Sequence, residues 1–325
     1  MRAAFYERNG AAGDVLTVAE MPAPEPRPGE VRIKLTASGV NPSDVKSREG
    51  RTRKIAFPRV IPHSDGAGVI DKLGDGVPAQ RLGQRVWIWN AQWKRAFGTC
   101  ADYVTLPADL AVPLPDRVSD EAGACLGIPA MTACHAVAVA GADKGRTILV
   151  TGGAGGVGHY AIQFAKARGA TVLTTTSSEA KAKLALAAGA DHVIDYKREN
   201  VGERVMAITN KAGVDAVVEM DLAANAKLYP TCLHARSEVV VYGTGSAEAA
   251  IPAQFLLVNA AAIKFIFVYE LTPAERAAAI SAINRMLDNN TLINNVALTM
   301  PLHDIVAAHE AVEQGKAMGN VVVRL

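Results

Sequence analysis

Cysteine is scarce in this chain, and the few present stand too far apart to act together. Cys100, Cys125, Cys134 and Cys232 form no C-x-x-C pair and no metal-like cluster. That excludes a disulfide framework and points to reduced, mostly buried thiols in a cytoplasmic protein. Charge of one sign is lacking too. Against 34 basic residues stand 32 acidic ones, a net of +2, with no block of like charge, so no dedicated nucleic-acid or membrane surface is expected. Long hydrophobic runs are missing as well. The most apolar stretch, Phe255 to Tyr269, is interrupted by Asn259 and Lys264 and is too short to span a bilayer. Met1 to Arg8 has no signal-peptide core.

What is present is an ordinary globular composition, half hydrophobic and a fifth charged over 325 residues, enough for two domains. The first third is rich in short strands and punctuated by proline and glycine. Val31 to Leu35 alternates with period two, and further strands are expected at Ala67–Leu73, Arg85–Trp89 and Asp102–Leu106, an antiparallel, barrel-like set. The character changes near Ser119, and Pro129 suits the first turn of a helix ending at Gly141. Strands at 147–150, 171–176, 192–196, 215–220, 238–242 and 263–268 then alternate with helices at 157–168, 178–188, 200–211 and 222–234. This is the pattern of a parallel sheet covered on both faces. Thr272-Pro273-Ala274-Glu275 is a capping box opening a helix to about Asp288. A strand near Val296, a helix from His303 to Gln314 and a strand Asn320–Arg324 close the chain.

The most informative stretch runs from Val150 to Gly158. Gly153, Gly155 and Gly158 satisfy G-x-G-x-x-G between a buried strand and an amphipathic helix. The three glycines serve a tight turn, close approach to a pyrophosphate and close helix-on-sheet packing, and the helix start adds free N–H groups. The second strand of such a unit selects the nucleotide, because an acidic residue at its end binds a ribose 2′-hydroxyl and polar or basic groups take a 2′-phosphate. Here it ends Thr174-Thr175-Thr176-Ser177-Ser178, with Lys181 one turn on, which favours NADPH. Ser177 or Ser178 also suits a plain helix cap.

Taken with Gly39–Asp44, Asp65–Val69, Gly83–Val86, Gly127–Ala133 and Ala188–Tyr196, these residues make the chain resemble the zinc-free, zeta-crystallin-like quinone oxidoreductases among the medium-chain dehydrogenases/reductases, almost end to end. The resemblance implies an α/β protein, a doubly wound Rossmann sheet at 121–269 plus a GroES-like β-barrel domain at 1–120 completed by 270–325. It implies no metal. The zinc-ligand positions of related alcohol dehydrogenases fall at Asn41, at Ser64 (with His63 displaced by one) and near Ile128, three residues from Cys125. It implies cofactor contacts at Ala154, Gly155, Gly156 and Val157 on the pyrophosphate, and at Ser177, Lys181 and Tyr196 around the 2′-phosphate. Asn225, Gly243, Thr244 and Gly245 would line the adenosine, while Asn41, Thr132, Ile266, Phe267, Val268 and Asn320 would flank the nicotinamide. Asn41 and Asp44 are the catalytic candidates. Trp87, Trp89, Trp93 and Phe97 could stack a flat substrate.

The expected reaction is hydride transfer to a quinone or enone by a cytoplasmic homodimer. The rivals are a 2-alkenal or enoyl-thioester reductase, for which Arg48, Arg51, Arg53 and Lys54 would offer a basic run, and a non-catalytic NADPH-binding structural or RNA-binding protein.

Overall fold

The computed structural model describes residues 1–52 and 54–325; Arg53 of the basic run lies outside the described residues. The chain divides into two compact units, Met1–Pro129 with Asn284–Leu325, and Ala130–Ile283. Both divisions fall later than the 120/121 and 269/270 boundaries expected from sequence. The segment after Asp120 is held in the first unit, where the Asp65 carboxylate accepts the Ile128 N–H at 2.7 Å. The start of the helix Pro273–Asp288 stays with the second, where Glu275 lies 3.8 Å from His135.

In the first unit, β1 (Arg2–Phe5) pairs with β2 (Thr17–Glu20), two strands the sequence did not announce. β3 (Glu30–Val40) is the long central strand, flanked by β4 (Asp65–Leu73) and β6 (Tyr103–Pro107). β5 (Arg85–Ile88) and β7 (Ala111–Pro113) continue the antiparallel sheet. The alternation read at Val31, Ile33 and Leu35 is real, since all three are buried among Ile70, Val86, Ile88 and Val104. Trp87 and Trp89 are buried in this unit as well. The stacking role suggested for them is therefore corrected; two indoles sunk in the core cannot sandwich a substrate.

Pro129 does not open a helix as expected. It lies inside a π-helical turn, Leu126–Ala130, and the regular helix is Met131–Val139. Such a turn accommodates the missing proline N–H, and π turns recur beside functional sites.

The second unit contains β8 (Thr147–Val150), β9 (Thr171–Thr176), β10 (His192–Asp195), β11 (Val214–Glu219), β12 (Leu233–Val241) and β13 (Ala262–Phe265). They form one parallel sheet in the order β10-β9-β8-β11-β12-β13. This is the doubly wound order, with its winding reversed between β8 and β11. The expected helix 222–234 is broken into short turns at Leu222–Asn225, Ala226–Leu228 and Tyr229–Cys232. Pro230 lacks the N–H that a continuous helix needs, and β12 begins at Leu233. The last strand is shorter than read, Ala262–Phe265, because Val268–Glu270 turns into a 3-10 helix. The chain then returns to the first unit, where β14 (Val296–Pro301) and β15 (Asn320–Arg324) extend its sheet through β3.

A buried polar chain crosses the first unit. The Thr99 hydroxyl donates to the Asp65 carbonyl, so it must accept from Ser38 Oγ, 2.8 Å away. With its proton spent, Ser38 accepts from His63 Nδ1 at 2.8 Å. His63 Nε2 then accepts from His309 Nε2 at 3.0 Å. This chain puts a proton on His63 Nδ1 and on His309 Nε2 and leaves His63 Nε2 bare, so His63 is neutral. His309 Nδ1 is left with no partner among the described residues. Burial holds His63 down at about 3. Burial, with His63 and Arg48 nearby, holds His309 well below its ordinary value.

A depressed histidine contributes stability that is complete above its unfolded value of 6.5 and is lost as pH falls toward the folded one. Urea unfolding between pH 7 and pH 4.5 should show this loss, up to about 1.4 kcal/mol per pH unit for each histidine. The raised carboxyls of Asp65 and Glu219 have the opposite sign and cancel on comparison with a variant. His63→Asn with His309→Gln should flatten the slope, Asn being suited to the positive φ of 78° at residue 63. An unchanged slope would remove the histidines from the acid response.

Candidate cofactor edge and polar cluster

The carboxyl ends of β8, β9 and β11 meet in the second unit. Gly152, with φ of 69°, turns the chain out of β8, and its N–H donates to Thr175 Oγ1 at 3.0 Å. Gly153 N donates to the Thr175 carbonyl at 3.1 Å and Gly155 N to the Gly152 carbonyl at 2.9 Å. The helix Gly156–Ala167 follows, with Gly155 as an N-cap that provides no side chain. Its first N–H groups have no intrahelical acceptor and face the end of the sheet, the arrangement that suits an anion.

The three glycines differ in what demands them. A Cβ at Gly158 would collide with the Gly152 carbonyl, and one at Gly153 would collide with Thr174 and Ile162. These two are required by the protein itself. A Cβ at Gly155 would meet only the Gly152 carbonyl oxygen, at a close 3.3 Å, so the protein itself resists a side chain there far less than at the other two, and a methyl group would take up room in the cradle before the helix. β9 ends at Thr176, whose buried Oγ1 has no partner among the described residues. The open cradle and the orphaned hydroxyl fit a dinucleotide phosphate.

The next group is assembled by strand register. β9 and β10 pair Thr176 with Asp195, and Tyr196 N donates to the Thr176 carbonyl at 3.1 Å. Tyr196 therefore lies beside Ser177, whose hydroxyl takes Lys181 Nζ at 3.2 Å. Ser178, and not Ser177, caps the helix Glu179–Ala187, accepting Lys181 N. The helix cap and the lysine contact thus fall on separate serines, so the cap leaves the Ser177 hydroxyl beside Lys181. Glu179, the first carboxylate after the strand, is paired with Lys183 at 3.0 Å.

Beyond β11 and β12 lie Asn225, Gly243, Thr244 and Gly245. The Leu222 N–H donates to the Gly243 carbonyl at 3.2 Å. Ile266 N donates to Val241 at 3.0 Å; Phe267 is exposed and Val268 buried. Thr132 is buried on the helix after the π turn.

Asn41, Asp44 and Asn320 belong to the first unit. Asn41 and Asp44 form a reciprocal capping box on the helix Pro42–Glu49, with Asn41 N donating to Asp44 Oδ2 at 2.8 Å. Asn41 Nδ2 also donates to Asp65 Oδ2 at 2.6 Å. Asp65 opens one of the segments that carry the family resemblance, but nothing in its sequence surroundings shows how Asn41 would meet it. It is fully buried, and desolvation raises its carboxyl well above the ordinary value despite the help of Asn41 and Ile128. Asn320 spends its side chain on the Asn295 carbonyl, 3.1 Å away. At the zinc-ligand positions, His63 is committed to Ser38 and His309, and Cys125 Sγ donates to the Glu121 carbonyl at 3.2 Å. Burial raises the thiols, Cys134 to about 11.

Two family models match the chain, the alcohol dehydrogenase GroES-like domain over residues 27–116 and zinc-binding dehydrogenase over residues 156–285. A rat quinone oxidoreductase is 32% identical over 312 residues, covering 94% of this chain and 92% of that one. The chain belongs to the quinone oxidoreductase family. Like other members of that family it is an oxidoreductase of the medium-chain dehydrogenase/reductase fold, a Rossmann-like sheet with a GroES-like domain. Among solved structures, a mycobacterial protein complexed with NADPH is 29% identical with a TM-score of 0.90 over the full length of both chains. An NAD-dependent alcohol dehydrogenase is 28% identical with a TM-score of 0.91, also over both full lengths. The fold therefore tolerates either nucleotide, and the choice rests on this family member's own residues.

Gly155→Ala should fold with an unfolding temperature close to the parent's while losing about tenfold or more in nucleotide affinity. Gly158→Ala should lower the unfolding temperature itself. Calorimetry beside nucleotide titration separates the two, and equal affinity in Gly155→Ala would show that the cradle holds no phosphate.

Proposed function

We propose that this protein is an NADPH-dependent reductase that delivers hydride to a quinone or another conjugated carbonyl compound without zinc. The observation that carries the reading is the Ser177–Lys181–Tyr196 group, which offers hydroxyls and one cation, while Glu179, the first carboxylate after the strand, is paired with Lys183. A phosphate dianion is attracted there, and an acidic residue in the same place would repel it. Ala154, Gly155, Gly156 and Val157 would hold the pyrophosphate against the helix start. When bound, the nucleotide supplies the hydride. The remaining work falls to side chains that bind and orient.

Asn41 is the better placed of the two catalytic candidates. Both side chains cap the helix, but Asn41 Nδ2 gives one hydrogen to Asp65 and keeps a second that it can offer to an acceptor oxygen, whereas the Asp44 carboxylate has no hydrogen to give while ionised. An amide at residue 41 and a hydroxyl at residue 64 replace the thiolate and imidazole that zinc requires. Without a Lewis acid, a delocalised acceptor such as a quinone is favoured over an unactivated aldehyde. Two cations of the basic run that would serve an enoyl thioester are engaged within the protein. Arg48 is fully buried against Glu313, and Arg51 is 2.6 Å from Glu49. Among the described residues no helix is long and apolar enough to cross a membrane, in keeping with a cytoplasmic site of action.

NADPH oxidation after exhaustive chelation, followed against quinones, enals, enoyl thioesters and unactivated aldehydes, tests the reaction. Quinone or enone turnover should survive chelation, with NADPH preferred to NADH. Lys181→Ala should narrow that preference by about ten- to a hundredfold, the worth of one charge-assisted hydrogen bond. Tighter NADH binding, or no turnover of any acceptor, would overturn the proposal, the latter in favour of a non-catalytic nucleotide-binding protein.

The homodimer is proposed on the edge of the same sheet. β13 is terminal in the strand order, and Phe265, Leu257 and Val258 are 71, 81 and 72% exposed. An open apolar edge invites pairing, and a two-fold axis satisfies both copies at once. Light scattering at micromolar concentration should give a dimer mass that Phe265→Lys lowers to the monomer. A monomer mass for the unaltered chain would refute the pairing.

A further inference from the structure

The winding of the parallel sheet reverses between β8 and β11, and the end of β11 carries a carboxylate with no access to solvent. Glu219 is fully buried. Its Oε1 accepts three bonds, from Thr151 Oγ1 at 2.9 Å, Asp221 N at 2.7 Å and Asn225 Nδ2 at 2.8 Å. Its Oε2 accepts from Tyr229 Oη at 3.3 Å. Thr151 is the root of the glycine loop, and its Oγ1 also accepts Met220 N at 3.0 Å. Asp221 passes the connection on, because its Oδ1 accepts Gly245 N at 2.8 Å. One side chain thus gathers the loops that follow β8 and β11, and through Asp221 the loop that follows β12.

The arrangement also decides which way an amide faces. Glu219 Oε1 is surrounded by donors, so the Asn225 atom against it must be the nitrogen. Asn225 Oδ1 is then the branch turned from the carboxylate, and Asn225 can offer an acceptor to a ligand at this edge. Burying an ionisable group costs several kcal/mol unless it is well bonded. A leucine would fill the same space without that burial but would leave the donors of Thr151, Asp221, Asn225 and Tyr229 without their shared acceptor. The carboxylate serves the loops that it joins.

We propose that Glu219 is a positioning residue for the dinucleotide, setting the three loops and turning Asn225 so that its Oδ1 receives a hydroxyl hydrogen of the adenosine half. This rests on the NADPH reading above and concerns one end of the same site. Because Glu219 acts through Asn225, removing either should have the same consequence, and removing both should add little.

The test is NADPH binding, measured by fluorescence titration on the whole protein with unfolding temperature recorded in parallel. Glu219→Leu and Asn225→Leu should each raise Kd about tenfold, and the double variant should be no more than about twofold worse than either. Glu219→Gln keeps an oxygen for the three Oε1 donors and should stay within about threefold of the parent. If Glu219→Leu does not fold, Glu219→Asp replaces it, since a carboxylate one methylene shorter cannot reach all four donors. Effects that multiply in the double variant, or a Glu219→Leu (or Glu219→Asp) Kd within twofold of the parent, would overturn the inference while leaving NADPH binding intact. An unaltered protein that does not bind NADPH would instead defeat the reading on which it rests.

Discussion

A doubly wound parallel sheet has to reverse its winding once, and everything in the second unit follows from where that reversal falls. At the gap between β8 and β11 the loops leave in opposite directions, which opens a crevice at the carboxyl ends of the strands. The crevice exposes backbone groups and would be loose without a tie across it. The Thr151–Glu219 hydrogen bond is that tie. From it extend the glycine turn on one side and, on the other, the short turns that replace a regular helix after β11.

The first unit solves a different problem with similar means. Its strands bury polar side chains that need partners, and Asn41, Asp65 and the Ile128 N–H satisfy one another where β3, β4 and the π turn converge. Both units therefore contain a buried carboxylate at the junction of several segments, raised by desolvation and bonded by an asparagine amide. In both, the carboxylate settles the orientation of an amide that the backbone alone would leave free to flip.

The sequence was most legible where chemistry is local. The glycine spacing, the period-two strand at Val31–Leu35 and the Ser/Thr-rich end of β9 depend on neighbours in the chain, and the strand, turn and helix that these patterns imply are present. The misreadings come from residues whose meaning depends on distant partners. Glu219 reads as an unremarkable strand end until Thr151 is beside it, 68 residues away in sequence. His63 and His309 are 246 residues apart. Trp87 and Trp89 advertise aromatic surface that the barrel core consumes. Pro129 has the pattern of a helix start because a π turn has no simple sequence signature. Pro230, in contrast, is a visible breaker inside the expected helix 222–234, and the helix ends in short turns around it.

The contrast among the glycines reaches beyond this molecule. Residues 153 and 158 are constrained by neighbouring protein atoms, while residue 155 is constrained by space that only a ligand would claim. Along a lineage, the first two should persist for as long as the sheet and helix pack together, whatever the protein does. Residue 155 should persist only while a nucleotide is being bound. A descendant that had abandoned redox work for a structural task would be free to accumulate side chains at that one position, so position 155 would record loss of function without loss of fold.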